Sequence, residues 1–338
     1  MSDTVLVTGI SGYIAKHVAL RLLEAGLRVR GTVRSMERAD EVRSAITANG
    51  GDPEGLSFVV ADLDSDHGWA DAAGGCRFVQ HIASPFPLEQ PKEREALVPA
   101  ARQGTLRVLR AGLDAGAERI VLTSSMVAMM YRADRPAEFR VTENDWTDPE
   151  WPMASAYIVS KTRAEKAAWD LVNERGVRER LVVVNPGFVL GPLLDSRTGT
   201  SIDVIKLILE GAYPAVPPTA FPVVDIRDLA EIEVSAMTAD VGGRRLIAAR
   251  ETLSMPEMAR ILRDAFPERR RIPTRTLPAV IVRMLSLFDR SLKTVLPDLG
   301  ARPIADSGYV SDLTGVEFRP AAESVLAAAQ SVIDRGLV

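Results

Sequence analysis

The sequence predicts an α/β fold: a doubly wound parallel sheet followed by a smaller, mostly helical C-terminal lobe. Three observations carry this. Short β-branched runs alternate with helical patterns up to about Gly191. A turn containing two glycines joins the first run to the first helix. Prolines then cluster at Pro214, Pro217, Pro218 and Pro222, and beyond them the patterns are largely helical.

Residues 5–8 read as a buried strand. Ile14, Val18 and Leu22, at i, i+4 and i+8, give the next helix one apolar face, and Gly26 stops it. Further strands are expected at 27–33, 56–61, 78–83, 119–123 and 181–184, with helices at about 93–115 and 154–175. Strands alternating with helices imply βαβ units, a mostly parallel sheet and helices on both of its faces. In the last third, helices are expected near 255–266, 279–289 and 321–334. The segment 223–228 returns to the main domain. The chain of 338 residues thus divides into 1–190, with a returning segment near 220–245, and a lobe at 191–338. The run Glu268-Arg269-Arg270-Arg271 reads as a solvated turn.

Composition narrows the partners. Lys and Arg total 41 against 45 Asp and Glu, a net charge of −4. That balance gives no electrostatic reason to expect nucleic acid or an anionic membrane. The single cysteine, Cys76, forbids an intrachain disulfide and fits a reducing compartment. With His17, His67 and His81 as the only histidines, no zinc-ligand spacing arises and no metal is expected. The N-terminus lacks a signal-peptide pattern and no apolar run would span a bilayer. The expectation is a cytoplasmic protein, monomer or homodimer, acting on a small molecule.

The turn Gly9-Ile10-Ser11-Gly12-Tyr13-Ile14-Ala15 opens the first helix. Gly9 makes the tight turn, Gly12 admits a pyrophosphate close to the backbone, and Ala15 lets the helix pack on the sheet. The N–H groups around Ser11, Tyr13 and Ile14 then face the phosphates at a positive helix end. At the end of the second strand, an NAD-binding fold usually carries an acid for the ribose hydroxyl. No acid occurs between Glu24 and Glu37; Arg34 stands there and Arg38 follows one turn later. Two guanidinium groups suit a 2′-phosphate, so NADPH is favoured over NADH. The plain alternative, a solvated arginine, weighs more for Arg38. Asp62, with Leu63, follows the third strand. It could accept from the adenine amino group or cap a helix. Ala83 and Ser84 are small enough for the cofactor to cross the sheet edge.

Tyr157 and Lys161 lie four apart on one helix face. An ammonium about 4 Å from the phenol would stabilise phenolate by about 4 kcal/mol at an effective dielectric near 20. That is roughly three pKa units before desolvation opposes it. The fifth strand ends Thr123-Ser124-Ser125, at the edge where ligands bind in such sheets. Thr123 is expected beside the cofactor. Ser125, rather than Ser124, is expected to hydrogen-bond a substrate oxygen. Tyr157 then supplies a proton as hydride reaches a carbonyl carbon, and Lys161 lowers the tyrosine pKa and holds the nicotinamide ribose.

These residues, with Gly31-Thr32-Val33-Arg34-Ser35, His81-Ile82-Ala83-Ser84-Pro85-Phe86, Asn185-Pro186-Gly187-Phe188-Val189-Leu190-Gly191-Pro192 and Val224-Asp225-Ile226-Arg227-Asp228, resemble the extended short-chain dehydrogenase/reductases. Within that Rossmann-fold family the chain is similar to the dihydroflavonol-4-reductase-like group, which includes cinnamoyl-CoA reductases and fungal aldehyde and methylglyoxal reductases. The likeness spans roughly residues 5 to 230 and fades after 240. It implies a Ser125–Tyr157–Lys161 triad and a nicotinamide lined by Pro186, Gly187 and Val189. It also implies a substrate pocket shaped by Phe86 and the lobe, and Ser201 near the 2′-phosphate. His81 reads as a packed strand-end residue rather than a catalytic one.

Rival readings remain. Dehydratases of this fold usually carry an acidic pair where Ser124 and Ser125 stand, and Arg34 disfavours the NAD that epimerases retain. A hydroxysteroid-type dehydrogenase would run the same triad in reverse. An NADP-sensing scaffold would have no need of both Tyr157 and Lys161.

Overall fold

The structure is a computed structural model that describes residues 3–84, 91, 93–287 and 295–338. Its strands in chain order are β1 (Thr4–Val7), β2 (Arg28–Val33), β3 (Leu56–Val60), β4 (Phe78–His81), β5 (Arg119–Thr123), β6 (Glu138–Val141), β7 (Leu181–Pro186), β8 (Phe188–Leu190), β9 (Ala215–Val216), β10 (Ala220–Asp225), β11 (Arg245–Ala248), β12 (Thr252–Ser254), β13 (Arg275–Thr276) and β14 (Arg302–Ala305). The α-helices are α1 (Tyr13–Glu24), α2 (Glu37–Ala48), α3 (Trp69–Ala73), α4 (Val98–Asp114), α5 (Ala156–Glu174), α6 (Thr200–Glu210), α7 (Ile226–Ser235), α8 (Met255–Ala265), α9 (Ala279–Leu285), α10 (Gly308–Thr314) and α11 (Ala321–Asp334).

Seven strands form one parallel sheet in the order β3-β2-β1-β4-β5-β7-β11. The chain winds outward from β1 to β3, then reverses and winds outward from β4. That reversal opens a crevice at the carboxyl ends of β1 and β4, where such folds bind ligands. The inner strands β1, β4, β5 and β7 are buried on both faces, as the near-continuous apolar runs predict, whereas the edge strand β3 is only partly covered and exposes Val60. Val5, Val7, Phe78, Val121, Val182 and Val184 pack toward α1 and α7. Leu6, Val79, Ile120, Leu122, Leu181 and Val183, the alternate set, pack toward α4 and α5.

Two features differ from the sequence expectation. A seventh strand, β11, pairs with β7 at the edge of the sheet, Leu246 opposite Val184. The region after Gly191 is also less purely helical than expected. Besides α8, α9 and α11 it carries strands in three small sheets: β8-β10-β12, β9-β13 and β6-β14. These strands are only two to six residues long, too short to show a periodicity of their own. No described helix is long and apolar enough to cross a membrane.

Candidate active site

The glycine turn comes first in the chain and lies at the crevice. Gly9 has φ +61°, and a Cβ there would stand 2.9 Å from the Ala83 Cβ. The turn and the end of β4 therefore touch backbone to side chain, and glycine is needed for both reasons. Gly9 N–H donates to Thr32 Oγ1 at 2.9 Å. Helix α1 begins after Gly12 with no capping side chain and no acid in its first turn. Among the described residues the N–H groups of Ser11, Tyr13 and Ile14 meet no acceptor, as the first turn of a helix requires. An uncapped, acid-free helix end with open N–H groups fits a pyrophosphate. Tyr13 itself is buried, its ring set edge-on to His17 at 5.5 Å.

Arg34 stands exposed beyond β2 and forms no salt bridge among the described residues. A free guanidinium at that point fits a 2′-phosphate. Arg38 is differently placed: its Nη1 pairs with Glu41 at 3.1 Å, and Arg197 pairs with the same carboxylate oxygen at 2.8 Å. Ser201 lies in the first turn of α6, two residues beyond Gly199, whose backbone packs on the Tyr13 ring. Asp62 Oδ1 accepts from Asp64 N–H at 3.0 Å, a local turn bond that leaves its other oxygen available. Leu63 packs against Gly104.

The catalytic candidates converge from two elements. Strand β5 ends at Thr123, and Ser125 then caps a short 3₁₀ turn, its Oγ accepting from Val127 N–H at 3.3 Å. Ser155 caps α5 by accepting from Ile158 N–H, which sets Tyr157 in the first turn and Lys161 one turn on. Ser125 and Tyr157 are hydrogen-bonded through their hydroxyl groups. Ser124 points elsewhere, donating to Glu165 at 2.5 Å, and Thr123 donates to Glu233 at 2.7 Å. The Thr123 hydroxyl is therefore turned into the core. Lys161, Ala83, Ser84, Ser124 and Glu165 are among the residues around one small cavity of about 10 Å³.

The electrostatics depart from the sequence expectation. The phenol of Tyr157 is raised above its usual value by burial, and the hydrogen bond with Ser125 opposes the shift only in part. Burial pulls Lys161 itself down to about 8, and Glu165 acts in the other direction. Desolvation disfavours the phenolate and the ammonium alike, and a sequence spacing carries no information about it.

Pro186 ends β7 buried. At Gly187 a Cβ would stand 2.2 Å from the Pro222 carbonyl oxygen. Val189 packs into the main core from β8 rather than standing open at the crevice. His81 ends β4 as a packed residue, with Nδ1 3.0 Å from Thr8 Oγ1. Phe86 lies outside the described residues. Sequence reading missed Glu165, although it continues the Tyr157, Lys161 spacing by one more turn. It also missed Arg245 and the side-chain role of Asn185, which only the sheet order brings alongside.

A doubly wound sheet with an anion-binding glycine turn and a serine–tyrosine–lysine cluster at its carboxyl edge defines a protein of the extended short-chain dehydrogenase/reductase class. The chain belongs to the NAD dependent epimerase/dehydratase family, whose sequence profile matches residues 5–247. Cinnamoyl-CoA reductase CAD2 of Medicago truncatula is 34% identical over 272 residues, which cover 79% of this chain and 82% of that protein. The crystal structure of yeast methylglyoxal/isovaleraldehyde reductase Gre2 complexed with NADPH matches with a TM-score of 0.81 at 26% identity, covering 99% of this chain and 100% of that one. Gre2 of Candida albicans in complex with NADPH matches with a TM-score of 0.80 at 27% identity, covering 98% and 99%.

Proposed function

We propose that the protein reduces an aldehyde or ketone to an alcohol with NADPH. The observation that carries this is the hydrogen-bonded Ser125–Tyr157 pair at the carboxyl edge of the sheet. NADPH, when bound, supplies the hydride. Ser125 and Tyr157 hold the substrate oxygen between them, and Tyr157 hands over its phenolic proton as negative charge builds there. The upward-shifted phenol suits this direction. It stays protonated through the neutral range and serves as an acid, whereas alcohol oxidation would need it as phenolate. Lys161 holds the nicotinamide ribose.

Gly9, Ser11, Gly12, Tyr13 and Ile14 take the pyrophosphate, and Arg34 takes the 2′-phosphate with Arg38 and Ser201 beside it. Asp62 and Leu63 flank the adenine, and Ala83, Ser84, Pro186 and Gly187 lie toward the nicotinamide side, with Thr123 and Val189 packed behind them in the core. Residues 191–338 shape the substrate pocket over the dinucleotide domain of residues 1–190. The likeness to Gre2, solved with NADPH, and to a cinnamoyl-CoA reductase supports this reading. The buried single cysteine supports a cytoplasmic location, and a monomer or homodimer is proposed.

The test is NADPH absorbance with purified protein and a panel of aldehydes, ketones, ketoesters and cyclic ketones. Substrate-dependent loss of NADPH, faster than loss of NADH, is expected for at least one compound. No consumption across the panel contradicts the proposal.

A further inference from the structure

Behind Lys161 lies a buried ion pair with no part in the chemistry above. Glu165, one turn further along α5, has a fully buried side chain and pairs with Arg245 from β11, Nε to Oε1 at 2.6 Å. Its other oxygen accepts from Ser124 Oγ at 2.5 Å and from Asn185 Nδ2 at 2.8 Å, contributed by β7. Trp169 Nε1 lies 3.4 Å from Oε1. The same Asn185 amide donates to the Ser125 carbonyl at 3.1 Å. Arg245 is fixed in turn by the carbonyls of Glu143 at 3.0 Å and Asp145 at 2.5 Å, and lies 3.9 Å over the Trp146 ring.

An apolar pair of similar size would pack this position as well or better, because burying two ions carries a large desolvation cost. The pair's location offers a reason for it. Glu165 shares a cavity wall with Lys161, and its hydrogen bonds reach the strand end that carries Ser125. We infer that Glu165, clamped by Arg245, is a positioning residue of the active site: it holds the Lys161 ammonium charged in the cleft and, through Asn185, fixes the Ser125 segment. This rests on the carbonyl-reductase reading of Lys161.

The groups facing Lys161 are few. Glu165 favours its charged form against burial. His81, from β4, is neutral, with a pKa of about 3 that burial and the nearby Lys161 charge produce. Tyr157 carries no charge while protonated. Arg245 from β11, paired with Glu165 Oε1, offsets part of that carboxylate's charge, so Glu165 is the counter-charge whose loss Lys161 would register, with the Arg245 charge then left facing it.

The chain has six lysines, so isotope-labelled lysine side chains can be titrated by NMR in the cofactor-free protein, with Lys161→Arg identifying the signal. In Glu165→Gln the Lys161 midpoint should fall by at least about one pH unit. The alkaline limb of kcat/KM for carbonyl reduction should move with it, and Glu165→Asp should restore most of both. An unchanged Lys161 midpoint in folded Glu165→Gln protein overturns the inference. Should that variant not fold, the double variant Glu165→Gln, Arg245→Met removes both ions together; the Lys161 midpoint should still fall, by less than in Glu165→Gln alone because the Arg245 charge leaves as well, and no fall overturns the inference. A wild type that consumes no NADPH defeats the functional reading, while the lysine titration still reports on the coupling.

Discussion

Thr8 gives its hydroxyl hydrogen to Nδ1 of His81. The Thr8 oxygen already accepts from the N–H groups of Ile82 and Ala83, each at 3.0 Å, so its one hydrogen is directed at the ring 3.0 Å away. His81 is therefore neutral with its proton on Nε2, a buried donor with no acceptor among the described residues. This clasp ties the end of β1 to the end of β4, on either side of the crevice that the dinucleotide is proposed to fill.

Acid should loosen the fold through this clasp. Burial holds His81 at about 3 and His17 at about 4, both below the ordinary 6.5. Each contributes stability that is fully present above pH 6.5 and is lost as pH falls toward the folded values, by up to about 1.4 kcal/mol per pH unit per histidine. The thermal midpoint should drop between pH 6.5 and 5, before most carboxylates titrate. His81→Asn should be less stable at pH 7 and lose less over that window. Parallel curves for the two proteins would contradict this.

Glu233 should act with the opposite sign. It lies fully buried on α7, accepts from Thr123 Oγ1 at 2.7 Å, and burial raises it from 4.5 to about 8. Its contribution is complete below pH 4.5 and is lost as pH rises through 8. Glu233→Gln should therefore gain on the wild type as pH rises from 5 to 8.5, by a few kcal/mol at most (roughly 1.4 per pH unit). Chemical denaturation at the two pH values checks this. A pH-independent difference would show that the carboxyl is ionised in the fold.

Cofactor choice should reside in Arg34. Exposed and outside any ion pair among the described residues, it is available to a phosphate, whereas Arg38 already shares Glu41 with Arg197. Arg34→Ala should weaken NADPH binding at least tenfold, about 1.4 kcal/mol, and leave NADH nearly unchanged, as read by nicotinamide fluorescence. Arg38→Ala should cost less. Equal losses for both cofactors in Arg34→Ala would remove the phosphate assignment.

Local features were the most legible in the sequence. The turn from Gly9 to Ile14 and the Tyr157–Lys161 spacing each sit within one stretch of chain, so residue type and period suffice. The strand at Arg119–Thr123 and the helix at Ala321–Asp334 appear where the pattern places them. What stayed hidden depends on distant partners. Strand β6 gains its partner β14 about 160 residues later, Phe139 opposite Pro303. Arg245 meets Glu165 only because β11 docks beside β7. The sign of the Tyr157 shift was also out of reach. Charge spacing argued for a lowered pKa, but burial, which depends on the closed fold, raises it.

The most direct measurement is the single-turnover rate of carbonyl reduction by Tyr157→Phe with NADPH pre-bound, beside a titration of its NADPH affinity. The account predicts a rate at least about a hundredfold lower, with cofactor affinity within about threefold of wild type. A variant that reduces the carbonyl at the wild-type rate would contradict the assignment of the proton to Tyr157.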